Sequence, residues 1–274
     1  MIALVDAPVG GKRSQYRENS PRVLLPQTLI LAKRLLIRWS RDLTTVIETL
    51  IVPIILLVAI NTVLGRQLST ITGHSALFGS VPMVAVVATV SGSSVGAIAL
   101  VRERNEGLLA RLWVLPVHRA AGLLSRFVAE AVRILVTTVV VLCAGLLLGF
   151  RFHQGVPAAL AWMMVPVVFG LAFATLVTAA AFFSATTTLV EAISLVTTLG
   201  IFFCTGFVPL DRYPAWVQPV VEHQPMSYAI EAMRGLSQGG PIVSPMIGTL
   251  AWSAAIAAVC VPAMVIGYRK ASMR

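Results

Sequence analysis

The sequence predicts an all-α integral membrane protein with six transmembrane helices and an additional interfacial helix before the first of them. Of its 274 residues, 57% are hydrophobic and only 12% are charged, which is about half the charged fraction of a soluble domain. The mean hydropathy is +0.88, and several apolar runs reach the roughly 20 residues that a helix needs to cross the hydrocarbon core. This composition leaves too little charge to coat a water-facing surface.

Residues 1–22 are polar and basic, and we expect them to form a disordered cytoplasmic tail. Gly11-Lys12 resembles the end of a phosphate-binding loop. That loop requires Gly five residues earlier and Ser or Thr directly afterwards, whereas these positions hold Asp6 and Arg13. We therefore expect no nucleotide binding by this chain.

Residues 23–42 have an amphipathic pattern, because apolar residues recur every three or four positions while Lys33, Arg34, Arg38 and Arg41 fall largely elsewhere. A helix of this kind lies in the membrane interface, where its basic side chains meet anionic headgroups. An N-terminal extension of the first span would produce a similar pattern. Both interpretations remain open from the sequence.

Residues 43–268 contain six apolar segments separated by polar or charged residues. We predict spans at Thr44–Leu64, Val81–Val101, Leu123–Gly149, Ala158–Phe183, Leu189–Val208 and Ile247–Tyr268. The uncharged run from Gln154 to Val190 is too long for one helix, and its polar cluster Ser184–Thr188 is the expected turn.

Basic residues concentrate in three places: before Asp42, between Arg102 and Arg119, and in the tail 269–274. The positive-inside rule places such segments in the cytoplasm. We therefore expect a multi-pass protein of the cell membrane with both termini cytoplasmic. The formal net charge of +10 is then explained by topology, and we expect no nucleic-acid partner.

The charged segment, Arg102–Arg119, interrupts the apolar chain between the second and third spans. Leu108, Leu109, Leu112 and Trp113 fall on one side of a predicted helix over 102–118, which Pro116 ends. Such a helix could be a solvated loop, could lie on the lipid surface, or could dock into a soluble partner. Periodicity alone leaves these alternatives open.

The external segment, residues 209–245, is too rich in proline to span the membrane and too apolar for a free loop. Short re-entrant or interfacial helices fit this composition. We therefore predict broken helices here, directly before the last span.

Five charged residues fall inside the predicted spans. Arg126 and Glu191 lie close to the ends of their spans. The other three, Glu48, Glu130 and Arg133, need a physical reason to be there. Glu130 and Arg133 are three residues apart, so they can pair on one helix face. Glu48 has no such local partner; it could pair with Arg133 or line a cavity. We predict an intramembrane ion pair of Glu130 and Arg133 and leave the role of Glu48 open.

The remaining chemistry-bearing residues form no recognisable catalytic or metal-binding pattern. Cys143, Cys204 and Cys260 lie in separate apolar runs, and the four histidines are scattered among loops. We expect a transporter subunit rather than an enzyme, with no metal site.

Two blocks of residues resemble the ABC-2 type permease family. The first is Arg102-Glu103-Arg104, Gly107-Leu108-Leu109, Arg111-Leu112, Pro116-Val117 and Arg119. The second is Thr205-Gly206-Phe207-Val208-Pro209, Tyr213-Pro214-Ala215-Trp216, Gln224-Pro225-Met226-Ser227-Tyr228 and Ala232-Met233-Arg234. Within that family the chain looks most like the permeases of actinobacterial daunorubicin and doxorubicin resistance exporters.

The resemblance implies the ABC-2, or type V exporter, fold and a role as the permease subunit of an ATP-driven exporter. It implies two copies of an ATP-binding subunit that carry ATP and Mg, a second and non-identical ABC-2 permease, and surrounding membrane lipids. The implied cargo is hydrophobic or amphipathic: a complex lipid such as phthiocerol dimycocerosate, an anthracycline-type drug, or both.

The resemblance also assigns roles to particular residues. Contact with the ATP-binding subunit falls to Arg102, Glu103, Arg104, Glu106, Gly107, Leu108, Leu109, Arg111, Leu112, Trp113 and Pro116. The cargo path falls to Asn61, Ser91, Ser94, Thr197 and Thr198 of spans one, two and five. Glu48 joins these candidates because it lies in the first of these spans without a local partner. Two rival functions remain: a scaffold permease that docks the ATPase without lining the path, and a passive channel or carrier.

Overall fold

The computed structural model describes residues 21–73, 75–107, 118, 120–184, 186–206, 208 and 210–272. These residues form helices and connecting turns, with no strand among them. The elements are α1 (Pro21–Arg41), α2 (Leu43–Val46), a π-helical turn (Ile47–Ile51), α3 (Val52–Thr72), α4 (Leu77–Asn105), α5 (Ala121–Leu147), α6 (Gly155–Phe183), α7 (Thr188–Ile201), a 3-10 turn (Leu210–Arg212), α8 (Gln218–His223), α9 (Pro225–Gln238) and α10 (Val243–Ser272).

Five helical segments within the described residues are long and apolar enough to cross a membrane. They are Leu43–Thr70, Leu77–Asn105, Ala121–Leu147, Gly155–Phe183 and Val243–Tyr268. At about 1.5 Å per residue, each is longer than the roughly 30 Å hydrocarbon core. Several helices are longer than the predicted spans, because polar and charged residues such as those of 102–105 continue the helix beyond the apolar run.

The fifth predicted span differs from its prediction, because α7 has only 14 residues and ends at Ile201. At about 1.5 Å per residue it is shorter than the hydrocarbon core. Beyond the end of α7, backbone carbonyls that have no helical partner accept hydrogen bonds from side chains of the external segment. Irregular backbone inside a membrane is stable only when the protein supplies such hydrogen bonds. The bonds are Tyr213 Oη to Cys204 O (3.1 Å), Gln224 Nε2 to Phe203 O, and Arg234 Nη2 to Thr205 O (2.7 Å). The count of six spans stays a prediction.

The first span begins with a break in regular α-helix. Asp42 caps the first turn, since its carboxylate accepts from the Thr45 hydroxyl at 2.7 Å and from the Thr45 backbone N–H at 3.4 Å. These hydrogen bonds lower the pKa of the Asp42 carboxyl from its ordinary value. The π-helical turn Ile47–Ile51 follows directly, and it contains Glu48.

Helix α4 is the centre of the bundle, with contacts to α3, α5, α6, α7 and α9. Small residues allow close approach of its neighbours: a Cβ on Gly170 of α6 would lie only 2.1 Å from Thr89 Cγ2. In a membrane such packing replaces the hydrophobic drive that is absent between lipid-covered helices. A movement of α4 would therefore displace most of the other helices, because it packs against five of them.

The external segment contains the short helices α8 and α9, as its composition predicts. Met226, Ile230 and Met233 of α9 are buried, and the helix packs against α4, α6 and α10. Trp252 of α10 also donates its indole N–H to the carbonyl of His223 at 3.0 Å. The segment is thus integrated into the core, while its re-entrant placement in the membrane stays a prediction.

Candidate functional site

The charged segment begins where α4 leaves the bundle. Helix α4 ends at Asn105, and Gly107 adopts a φ of +73°, a left-handed conformation that favours glycine and turns the chain. Arg102 and Glu106 are exposed. The predicted contact residues Leu108, Leu109, Arg111, Leu112, Trp113 and Pro116 lie outside the described residues.

Glu103 joins three helices at the start of the charged segment. Its carboxylate binds Arg38 of α1 at 2.6 Å through Oε1 and Arg126 of α5 at 2.5 Å through Oε2. The side chain of Glu103 is only 12% exposed, so the carboxylate is partly shielded from solvent screening. The resemblance assigns Glu103 to the contact with an ATP-binding subunit, whereas the structure binds it within the chain.

Arg104 connects the end of α4 to a fourth helix, α6. Its guanidinium donates to the carbonyls of Ala181 and Phe182, at 2.9 and 2.8 Å, and to that of Ser184 at 2.5 Å. The last carbonyls of a helix have no partner within it, and a cation there also suits the helix dipole. Arg104 therefore caps α6 and fixes the end of α4 against it.

Glu103 and Arg104 together define the anchor, our name for the contacts that hold the end of α4 to α1, α5 and α6. A displacement of the chain that follows the anchor would therefore be transmitted through these contacts to α1, α5 and α6. The sequence shows the charges but not their partners, because Arg38 and Glu103 are 65 residues apart.

A second ionic cluster lies deeper, between α4 and α5. Glu130 and Arg133 form an ion pair, with side chains 15% and 8% exposed. The Arg133 guanidinium also donates to the carbonyl of Gly92, and Ser93 Oγ lies 2.6 Å from Glu130 Oε1. Pairing and hydrogen bonding of this kind make buried charge tolerable.

Gly92 and Gly96 face this guanidinium, and a Cβ added at either position would make only ordinary van der Waals contact with it. A Cβ on Gly92 would lie 3.5 Å from Arg133 Cζ, and one on Gly96 would lie 3.5 Å from Arg133 Nη1. Sequence reasoning finds the Gly-x-x-x-Gly spacing but suggests only close helix packing. The charged pair Glu130 and Arg133 on the next predicted span is the signal that could have identified this contact between the guanidinium and the two glycines.

The residues predicted for a cargo path lie on four elements: the π-helical turn, α3, α4 and α7. Helix α4 packs against the other three. Glu48, Ser91 and Thr198 are exposed on the surface of this chain, Asn61 and Thr197 are half-buried, and Ser94 is buried. Thr197 and Thr198 donate to carbonyls one turn earlier in α7, both at 2.7 Å. Arg133 contacts Glu130 and Gly92 rather than the exposed Glu48.

Within the described residues, no group of three His, Cys, Asp or Glu side chains could hold a metal ion.

Five helices that are long and apolar enough to cross a membrane indicate a multi-pass membrane protein. The ABC-2 type transporter family matches residues 26–236, and the chain belongs to this family.

Two relatives make the similarity more specific. The chain is 52% identical over 255 residues to the probable doxorubicin resistance ABC transporter permease protein DrrC of Mycobacterium tuberculosis, covering 93% of this chain and 92% of the relative. It is 27% identical over 194 residues to the daunorubicin resistance ABC transporter permease protein DrrB1 of Streptomyces coeruleorubidus, covering 70% and 68%. The predicted resemblance to this group of permeases is confirmed.

Proposed function

We propose that this chain is the permease subunit of an ATP-driven exporter that moves hydrophobic or amphipathic cargo out of the cytoplasmic membrane. The observation that carries the proposal is the anchor: in an ABC-2 family chain, Glu103 and Arg104 bind the root of the charged segment to three helices of the bundle. A force applied to that segment would reach α1, α5 and α6 together.

The energy would come from a separate ATP-binding subunit, present in two copies and carrying ATP and Mg. The apolar side of the charged segment would sit in a groove of that subunit, with Leu112 and Trp113 as central contacts and the exposed Arg102 and Glu106 at the rim. Nucleotide-driven closure of the two ATPases would bias the permease between two conformations. This arrangement requires both termini and the charged segment to face the cytoplasm.

Cargo would pass where this chain meets a second, non-identical ABC-2 permease. The first span and α7 support this, because both expose many large apolar side chains, including Ile55, Val196 and Leu199. Their few polar groups suit an apolar or amphipathic molecule. Similarity to the doxorubicin and daunorubicin resistance permeases supports an anthracycline-type drug, and the resemblance in sequence supports a complex lipid such as phthiocerol dimycocerosate.

Co-purification followed by transport tests the proposal. The full-length chain, expressed with its candidate ATPase and second permease, should retain both partners in detergent and export a labelled drug or lipid from liposomes only with hydrolysable ATP. Transport without the ATPase would instead indicate a passive channel. Retention of the ATPase, with a photoactivatable cargo analogue labelling only the other permease, would indicate a scaffold.

Glu48→Gln should reduce transport severalfold while leaving assembly intact. The exposed carboxylate lies in the π-helical turn of the first span, and none of the ion pairs among the described residues includes it. Ionisable residues within membrane spans commonly mark substrate pathways. Cargo efflux and cargo-stimulated ATP hydrolysis are the measurements, and Thr62→Val, which removes another exposed polar group of the same span, is the matched control. Wild-type efflux by Glu48→Gln would remove Glu48 from the path.

A further inference from the structure

A cavity of about 160 Å³ lies between α1 and the bundle, next to the anchor. A single buried water needs only about 10–15 Å³, so the space is large enough for a chemical group of many atoms. Its apolar wall comes from α1, α4 and α5 and includes Leu35, Leu36, Ala99 and Phe127. None of the six residues predicted for the cargo path lines this cavity.

Three arginines and three carboxylates line the cavity, so the whole lining is formally neutral and positive charge is concentrated only around Glu103. The charged lining residues are Arg38, Asp42, Glu103, Arg126, Glu130 and Arg133. Glu130 and Arg133 neutralise each other, and the Asp42 carboxylate accepts from Thr45 and is further stabilised by Arg102. Glu103 remains as one carboxylate between the two guanidiniums of Arg38 and Arg126, and this group carries a net charge of +1.

The same wall holds an unused hydrogen-bond donor. Trp39 Nε1 is buried and has no hydrogen-bond partner among the residues that the structure describes. A buried indole N–H normally finds a partner, and leaving it unsatisfied costs about 1–3 kcal/mol. The ion pairs with Glu103 use a single nitrogen of each guanidinium, and an arginine has five N–H donors in all.

We propose that this cavity binds the phosphate headgroup of a phospholipid, with Arg38, Arg126 and the indole N–H of Trp39 as the phosphate ligands. Guanidinium groups suit the geometry of phosphate oxygens, and Leu35, Leu36 and Phe127 would contact the glycerol and the first acyl carbons. The excess of guanidinium over carboxylate in the Arg38–Glu103–Arg126 group disfavours an amine-bearing amphiphile at this point. A lipid bound here would brace α1 against α4 and α5 and would be distinct from the cargo.

Lipid titration of the full-length chain, purified in detergent and followed by native mass spectrometry, tests the proposal. Dioleoyl phosphatidylglycerol should bind in a saturable way and more tightly than dioleoylglycerol, which lacks only the phosphate group. Trp39→Phe keeps an aromatic ring but loses the donor, and it should weaken phosphatidylglycerol binding about tenfold, as expected for a hydrogen bond to a charged group. Arg126→Gln should weaken it at least as much.

Arg34→Gln is the matched control, because Arg34 is an exposed cation of the same helix that does not line the cavity. It should leave binding unchanged. The proposal is overturned if phosphatidylglycerol and dioleoylglycerol bind equally, if Trp39→Phe binds like the wild type, if Arg34→Gln weakens binding as much as Arg126→Gln, or if a long-chain amine binds more tightly than the phospholipid. None of these readouts depends on transport, so the proposed function is tested separately.

Discussion

Leu112→Asp should abolish ATP-driven transport while the chain still inserts into the membrane. In the proposed complex, Leu112 is a central apolar contact of the charged segment with the ATP-binding subunit. Burying an unpaired carboxylate in such a contact costs several kcal/mol, and each 1.4 kcal/mol lowers affinity about tenfold. Co-purified ATPase and nucleotide-dependent efflux should both fall by at least about tenfold.

The control is Leu112→Met, which keeps the side chain apolar and of similar volume and should be tolerated. Trp113→Ala should resemble Leu112→Asp, because large aromatic side chains dominate contact energies at interfaces. A well-expressed Leu112→Asp variant that exports at the wild-type rate would contradict the docking role. Loss of efflux with full retention of the ATPase would move the role of Leu112 from docking to coupling.

Arg133→Leu should destabilise the folded chain by about 3–5 kcal/mol, the typical cost of removing one partner from a buried ion pair. The change leaves Glu130 without its cation and the carbonyl of Gly92 without its guanidinium donor. Reversible unfolding of the purified chain in mixed micelles, followed by circular dichroism, measures the loss.

A double variant separates the ion pair from the packing around it. Glu130→Leu combined with Arg133→Leu should recover much of the stability, because replacing a whole buried pair by apolar residues is often neutral. Arg66→Leu, which changes an exposed arginine of α3, should alter stability by no more than about 0.5 kcal/mol. An Arg133→Leu variant as stable as Arg66→Leu would show that the pair does not stabilise the α4–α5 contact.

The class of fold was predictable because it rests on local composition. Long uncharged runs such as 154–190 can only be covered by lipid or by other helices, and their length indicates helices that cross a membrane. The residue pattern of the charged segment and of 205–234 was specific enough to indicate the family, which the match over 26–236 confirms.

Long-range partners were not predictable, because a single sequence carries no record of which distant residues meet. Glu103 appears as one charge in a charged segment, and only the folded chain shows that Arg38 and Arg126 enclose it. The end of α7 at Ile201 was missed for a related reason. Phe202 and Phe203 are as apolar as the helix before them, and the polar groups that satisfy the turn come from residues 213–234.

The proposal that the charged segment faces the cytoplasm and docks into the ATP-binding subunit can be tested by chemical labelling. The variant is Glu106→Cys in a chain whose three native cysteines are replaced. Glu106 is exposed beside the anchor, so a membrane-impermeant maleimide reports which side of the membrane it faces and whether a partner covers it. We expect the maleimide to label this cysteine in inverted vesicles but not in intact cells. Binding of the ATP-binding subunit should protect the cysteine from labelling. Labelling from outside intact cells, or equal labelling with and without that subunit, would contradict the proposal.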